Sequence, residues 1–308
     1  ILRVHARVVA IDPSVDLRLL ASRTAGFTGA DLANVINEAA LLAARREKNS
    51  VPMSELEEAI DRVVAGLERK SRVMSDKERE IVAKHEMGHA IVALSVKNAD
   101  PVHRVSIIPR GAAALGMTMQ RPLEDRYLVT EPELHDRLAI LMGGRTAEEI
   151  CFDQISTGAQ NDLQRATEIA RAMVVEYGMS EKIGPLSFGG GGMRGPEGNA
   201  LFPGESQQLS GATAQIVDEE VSRIVTFAHE RAKKILGERR HMLDRLSELL
   251  MVAEVIEGDD LLAYFEGRSA VPSAAEAALM AQARADSLLA PEIAPSSQVP
   301  PPPAPPAR

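Results

Sequence analysis

DKEREIVAKHEMGHAIVALSVKN, residues 76–98, is the stretch on which the fold turns. Its apolar positions Ile81, Val82, Ala90, Ile91, Leu94 and Val96 fall at helical spacing, so one long helix is expected here. Inside it stands His85-Glu86-Met87-Gly88-His89. Positions i and i+4 share a helix face, so both imidazoles can reach a common ion. Neutral imidazole suits Zn²⁺, and two such ligands leave room for a third protein ligand and a water. Glu86 then lies beside the ion instead of on it, placed to take a proton from water and pass it to a leaving amine. Gly88, with no side chain, lets a neighbouring element come close. The expectation is a metallopeptidase centre. Its bland rival is a solvated helix face with two unrelated histidines. Against that stand the apolar neighbours Ala83, Ala90, Ile91 and Leu94, and a total of only seven histidines in the chain.

A third ligand has to come from another element. A histidine six residues after the second is ruled out, because position 95 is Ser. The candidates are His103, His135, Glu148, Glu149, Asp153 and Asp162. Asp162 has the best physical case. It opens a helix whose apolar line runs Ala166, Ile169 and Met173, and a carboxylate aligned with a buried stripe is costly unless something pairs it. The alternative use of Asp162 is to complement the helix dipole from the first turn. Glu148 is next, following Leu134, Leu138 and Leu141 along its own helix; it or Glu149 could instead pair with Arg145 or orient a ligand. His103 reads as structural, at the start of a strand. Cys151, the single cysteine, reads as a small buried hydrophobe.

Outward from the motif, residues 1–70 read as a small helical unit. One short helix covers Asp16 to Ala21. A second is opened by Thr28 with Asp31 three residues on, a short-armed capping box, and a third starts around Ser54. Residues 67–76 look like a linker. After the central helix, Val102–Ile108 and Leu115–Gln120 are strand-like, enough for a small antiparallel sheet. The second of these could offer its edge to an extended substrate. Glu133–Ile150 reads as helix interrupted by Gly143-Gly144, and a further helix runs from about residue 157 or 161 to Tyr177. Residues 189–204 read as a flexible glycine-rich loop. Helices over 207–235 and 239–253 and a short element over 258–265 complete the fold, which is mainly α. Beyond Gly267 the Ala/Pro-rich tail, residues 268–308, reads as disordered, with a transient helix near 273–285.

Composition closes off several classes. Thirty-five Lys and Arg against forty-four Asp and Glu give a net charge of −9, which argues against a nucleic-acid partner. One cysteine excludes an intrachain disulfide framework and a Cys-rich zinc module. No apolar run approaches the roughly 20 residues of a membrane span, and no phosphate-cradling G-x-x-x-x-G-K-[ST] occurs. The chain opens inside an ordinary globular pattern at Ile1, as a piece of something larger would.

Four stretches, taken in order, resemble the FtsH family of membrane-anchored, ATP-dependent AAA zinc metalloproteases. They are Thr24–Asn34 with Asn37-Glu38-Ala39-Ala40; His85–Ala90 followed by Val105–Gly111; Gly143–Glu149; and Ser156–Leu163 continued by Tyr177–Ser180 and Gly184-Pro185-Leu186. The resemblance implies zinc held by His85, His89 and Asp162, with Glu86 as the catalytic glutamate. It implies that residues 1–70 are the helical ATPase lid subdomain and 71–267 a mostly helical zinc peptidase domain with a small β-sheet. The ATP/Mg²⁺ site and the N-terminal membrane anchor would precede Ile1. A homo-hexamer at the bacterial inner membrane, with this portion facing the cytoplasm and polypeptides as substrates, is also implied. The alternative is a non-catalytic hexamer-forming or chaperone-like module. Two positions depart from the family pattern: Met87 replaces the usual Ala, and Lys84 stands where an aromatic residue commonly precedes the first histidine.

Overall fold

A computed structural model describes residues 1–67, 74–109, 115–120, 128–188, 209–273, 275–279 and 282. The glycine-rich loop at 189–204, most of the linker and most of the tail lie outside the described residues.

The N-terminal part consists of α1 (Leu2–His5), α2 (Leu17–Ser22), α3 (Gly29–Arg45) and α4 (Met53–Ala65). Thr28 caps α3 as the sequence suggests: its hydroxyl accepts from the Asp31 amide, and the Asp31 carboxylate accepts from the Thr28 amide at 2.9 Å. Leu20, Val35, Ile36, Ala39, Leu56 and Ile60 form a separate small core under these helices.

A second, larger core is built by α5 (Asp76–Ser95), β1 (Val102–Ser106), β2 (Met117–Gln120), α6 (Glu131–Phe152), α7 (Gln160–Val175), α8 (Gly211–Glu238), α9 (Arg240–Ala253), β3 (Val255–Glu257) and α10 (Gly258–Phe265). The central helix ends at Ser95, short of Asn98. At its other end Ser75 and Glu78 close a capping box. The sheet has the order β2-β1-β3 and both pairings are antiparallel, with Val105 facing Thr118 on one side and Ile256 on the other. Among the described residues β2 is thus an edge strand. Across the two parts, Arg104 of β1 pairs with Asp61 of α4 as well as with Glu257 of β3.

One sequence expectation fails here. α6 runs unbroken from Glu131 to Phe152, so Gly143-Gly144 does not interrupt it. Two mid-helix glycines cost about 1 kcal/mol each relative to alanine. What they gain is contact: a Cβ on Gly88 would lie 2.5 Å from the Gly143 carbonyl oxygen, and one on Gly143 would lie 2.8 Å from that of Gly88. α5 and α6 therefore meet backbone to backbone, which only glycine permits. Residues 275–279 are also helical, and Ala277 is buried against the larger core.

Candidate metal centre

α5 supplies His85, Glu86 and His89, and the first turn of α7 supplies Asp162. The Nε2 atoms of the two histidines stand 3.0 Å apart, and an Asp162 carboxylate oxygen lies 3.3 Å from the first and 3.4 Å from the second. This is the one cluster of three or more His, Cys, Asp or Glu donors able to hold an ion among the described residues. Asp162 reaches it because Ala166 and Met173 of the same helix are fully buried, which turns that face of α7 inward.

The remaining ring nitrogens are committed elsewhere. His85 Nδ1 lies 2.7 Å from a Glu148 carboxylate oxygen, and His89 Nδ1 lies 2.7 Å from the Ile140 carbonyl oxygen. Both partners come from α6. Glu148 is itself fixed by the Ser156 amide, which donates to its other oxygen at 2.6 Å. Burial works against ionisation of Glu148, yet these hydrogen bonds hold its carboxyl below the usual range.

The electrostatics of the cluster call for a cation. Burial disfavours a charged imidazole at His85, but hydrogen bonds to Asp162 and Glu148 outweigh it and push the pKa up to about 10. Burial likewise opposes ionisation of Asp162, and the two imidazoles pull its carboxyl far below the ordinary value. With an ion in place of the proton, carbonyl and carboxylate acceptors keep the hydrogen on each Nδ1, and both Nε2 lone pairs point at the ion. Ligand atoms bonded to a tetrahedral zinc at about 2.0–2.1 Å are separated by roughly 3.3 Å. The observed separations match that figure. Gly144 makes the space: a Cβ there would sit 2.5 Å from both Nε2 atoms.

Glu86 occupies a different position. It is buried, and its Oε2 accepts from the Thr118 hydroxyl at 2.8 Å. Burial raises its pKa, tempered by the nearby histidines. A carboxyl buried beside the metal position is placed for exchanging protons with a water there.

The other candidates fall away from the cluster. Glu149 pairs with His229 and Lys233 on α8, and His135 with Glu131. Asp153 sits exposed in the left-handed conformation that ends α6, and His103 lies within β1. Of the two unusual positions, Met87 is wholly buried in the core, so it fills space away from the ligands. Lys84 turns to α9 and pairs with Asp244 at 2.5 Å. Two features escaped the sequence reading, the Thr118 hydroxyl on Glu86 and the bare backbone of Gly144 beneath the imidazoles. The glycine pair was the available signal for the second.

A helical fold with a small sheet, two histidines one helical turn apart and an aspartate from a second helix together define a zinc metallopeptidase with one zinc ion. Residues 72–263 match peptidase family M41, and residues 14–58 match the AAA+ lid domain. The chain belongs to peptidase family M41. It is 53% identical over 264 residues to the ATP-dependent zinc metalloprotease FtsH of Syntrophobacter fumaroxidans, covering 85% of this chain and 40% of that protein. It is 54% identical over 265 residues to the FtsH of Pseudothermotoga lettingae, covering 85% of this chain and 41% of that one. The FtsH of Thermotoga maritima is 50% identical over 265 residues, 85% of this chain and 42% of the relative. The chain thus spans about two fifths of the length of these relatives. No described helix is long and apolar enough to cross a membrane.

Proposed function

We propose that this chain is the peptidase portion of an ATP-dependent, membrane-anchored protease that degrades unfolded or misfolded polypeptides. Residues 1–70 serve as the ATPase lid, 71–267 as the peptidase domain and 268–308 as a tail. The whole protein works as a homo-hexamer at the bacterial inner membrane, with this portion on the cytoplasmic side. Membership of peptidase family M41 and the likeness to proteins described as ATP-dependent zinc metalloproteases support the protease part of this reading, and the match of residues 14–58 to the AAA+ lid domain supports the lid.

In the proposed reaction His85, His89 and Asp162 hold the zinc. Bound there, zinc supplies Lewis acidity toward a peptide carbonyl and toward water. Glu86 is the general base: its carboxylate takes the proton of the attacking water and delivers it to the departing amide nitrogen. Glu148 and the Ile140 carbonyl keep the imidazoles in one tautomer and one orientation. β2, the outermost strand on its side of the sheet among the described residues, accepts an extended substrate by backbone pairing.

The observation that carries this reading is the triangle of 3.0, 3.3 and 3.4 Å among two imidazole nitrogens and one carboxylate oxygen. The test pairs two substitutions. Glu86→Gln is expected to retain zinc while peptide hydrolysis falls at least ~10²-fold, the scale of a lost general base. Asp162→Asn is expected to lose zinc on dialysis, read by metal analysis. Casein turnover by Glu86→Gln comparable with the parent rate would refute the assigned role.

A further inference from the structure

We infer that Thr118 is a positioning residue for Glu86, and that the edge strand β2 thereby sets the carboxylate on which proton transfer depends. The inference rests on Glu86 being the base and adds what aims it. The Thr118 hydroxyl lies 2.8 Å from Glu86 Oε2 and 2.9 Å from the Glu86 backbone carbonyl oxygen, so its single proton is shared between two acceptors of that residue. Gly116, the residue just before β2, also packs against Glu86. A Cβ there would stand 2.7 Å from Glu86 Cγ and Oε1 and 2.8 Å from a Val82 methyl.

The two oxygens of the carboxylate are thus distinguished. Oε2 accepts from the hydroxyl, and Oε1 lies beside Gly116, where any side chain would crowd it. A glutamate has three rotatable bonds, and a buried one without such a hold would spread over several rotamers. β2 itself is fixed through its pairing with β1, where Thr118 stands opposite the fully buried Val105. The hold on Glu86 is therefore built from three elements, α5, β2 and β1.

The experiment uses the complete protein carrying this chain, a short fluorogenic peptide as substrate and zinc content measured on the same samples. Thr118→Val keeps the shape and removes the hydroxyl. It is expected to lower kcat about 10- to 100-fold, the range for one hydrogen bond to a charged group, with KM and zinc content unchanged. Thr118→Ser restores the hydroxyl and is expected to return kcat to within about threefold of the parent, which a packing defect would not do. In a Glu86→Gln background Thr118→Val is expected to cost nothing further, because the residues act as a unit. Unchanged kcat in Thr118→Val, or a raised KM with kcat preserved, would overturn the inference. If Glu86→Gln alone leaves kcat intact, the general-base reading fails instead, and the two failures are told apart.

Discussion

Replacing Gly144 with alanine puts one methyl group against the imidazoles that face the metal position. The added Cβ would stand 2.5 Å from His85 Nε2, His85 Cε1 and His89 Nε2. That is about 1 Å inside an ordinary non-bonded contact. The rings cannot easily turn away, since each is pinned through Nδ1, one to Glu148 and the other to the Ile140 carbonyl. A displacement near 1 Å is several times the roughly 0.2 Å that zinc–ligand distances tolerate. Zinc affinity is expected to fall at least ~100-fold, equivalent to about 2.8 kcal/mol. The helix responds in the opposite sense, because alanine in a helix interior is favoured over glycine by about 1 kcal/mol. That gain offsets part of the roughly 1–3 kcal/mol that crowding the pinned rings costs even without metal, so in chelator the variant is expected to melt at or a few degrees below the parent, while the rise in Tm that zinc gives the parent is lost. Competition with a chromophoric chelator measures the affinity, and thermal melts with and without zinc measure the rest. A Gly144→Ala protein that binds zinc within threefold of the parent would refute the geometry argued for the centre.

Glu148→Gln keeps the size of the side chain and removes its charge; zinc affinity is expected to drop about 10- to 100-fold, as for other partners of metal-bound histidines, measured by the same competition. Glu220 is buried on α8, where hydrogen bonds from Arg223 outweigh burial, helped by Ser180 and Lys182, and bring its pKa down to about 2. A depressed acid stabilises the fold above its unfolded value near 4.5 and loses that contribution as pH falls toward 2. Tm between pH 5 and about 2.5 is expected to fall less steeply in Glu220→Gln than in the parent; an equal slope would remove Glu220 from the acid response.

What the sequence could disclose depended on range. His85 and His89 are four apart on one helix, so their shared face is a local fact. Asp162 was reachable through the buried line of Ala166 and Met173, which oriented its helix before any partner was known. Gly143-Gly144 misled, because a glycine pair is read locally as a break and its purpose lies on another helix 55 residues earlier at Gly88. β3 escaped notice for a similar reason: three residues carry no period, and their pairing partner, β1, is about 150 residues away. The Thr118 hydroxyl gave no signal at all, since threonine in a strand is ordinary and only the crossing of β2 over α5 gives it work.

The contact between Gly88 and Gly143 acts as a gauge block. Where two rods touch through bare main chain, the gap between them is fixed by atomic radii, which no reshuffling of neighbouring residues can alter. The spacing from the imidazoles on one rod to their acceptors on the other is thereby insulated from drift in the surrounding apolar composition, and Met87 can differ from its usual occupant without the coordination sphere registering the change.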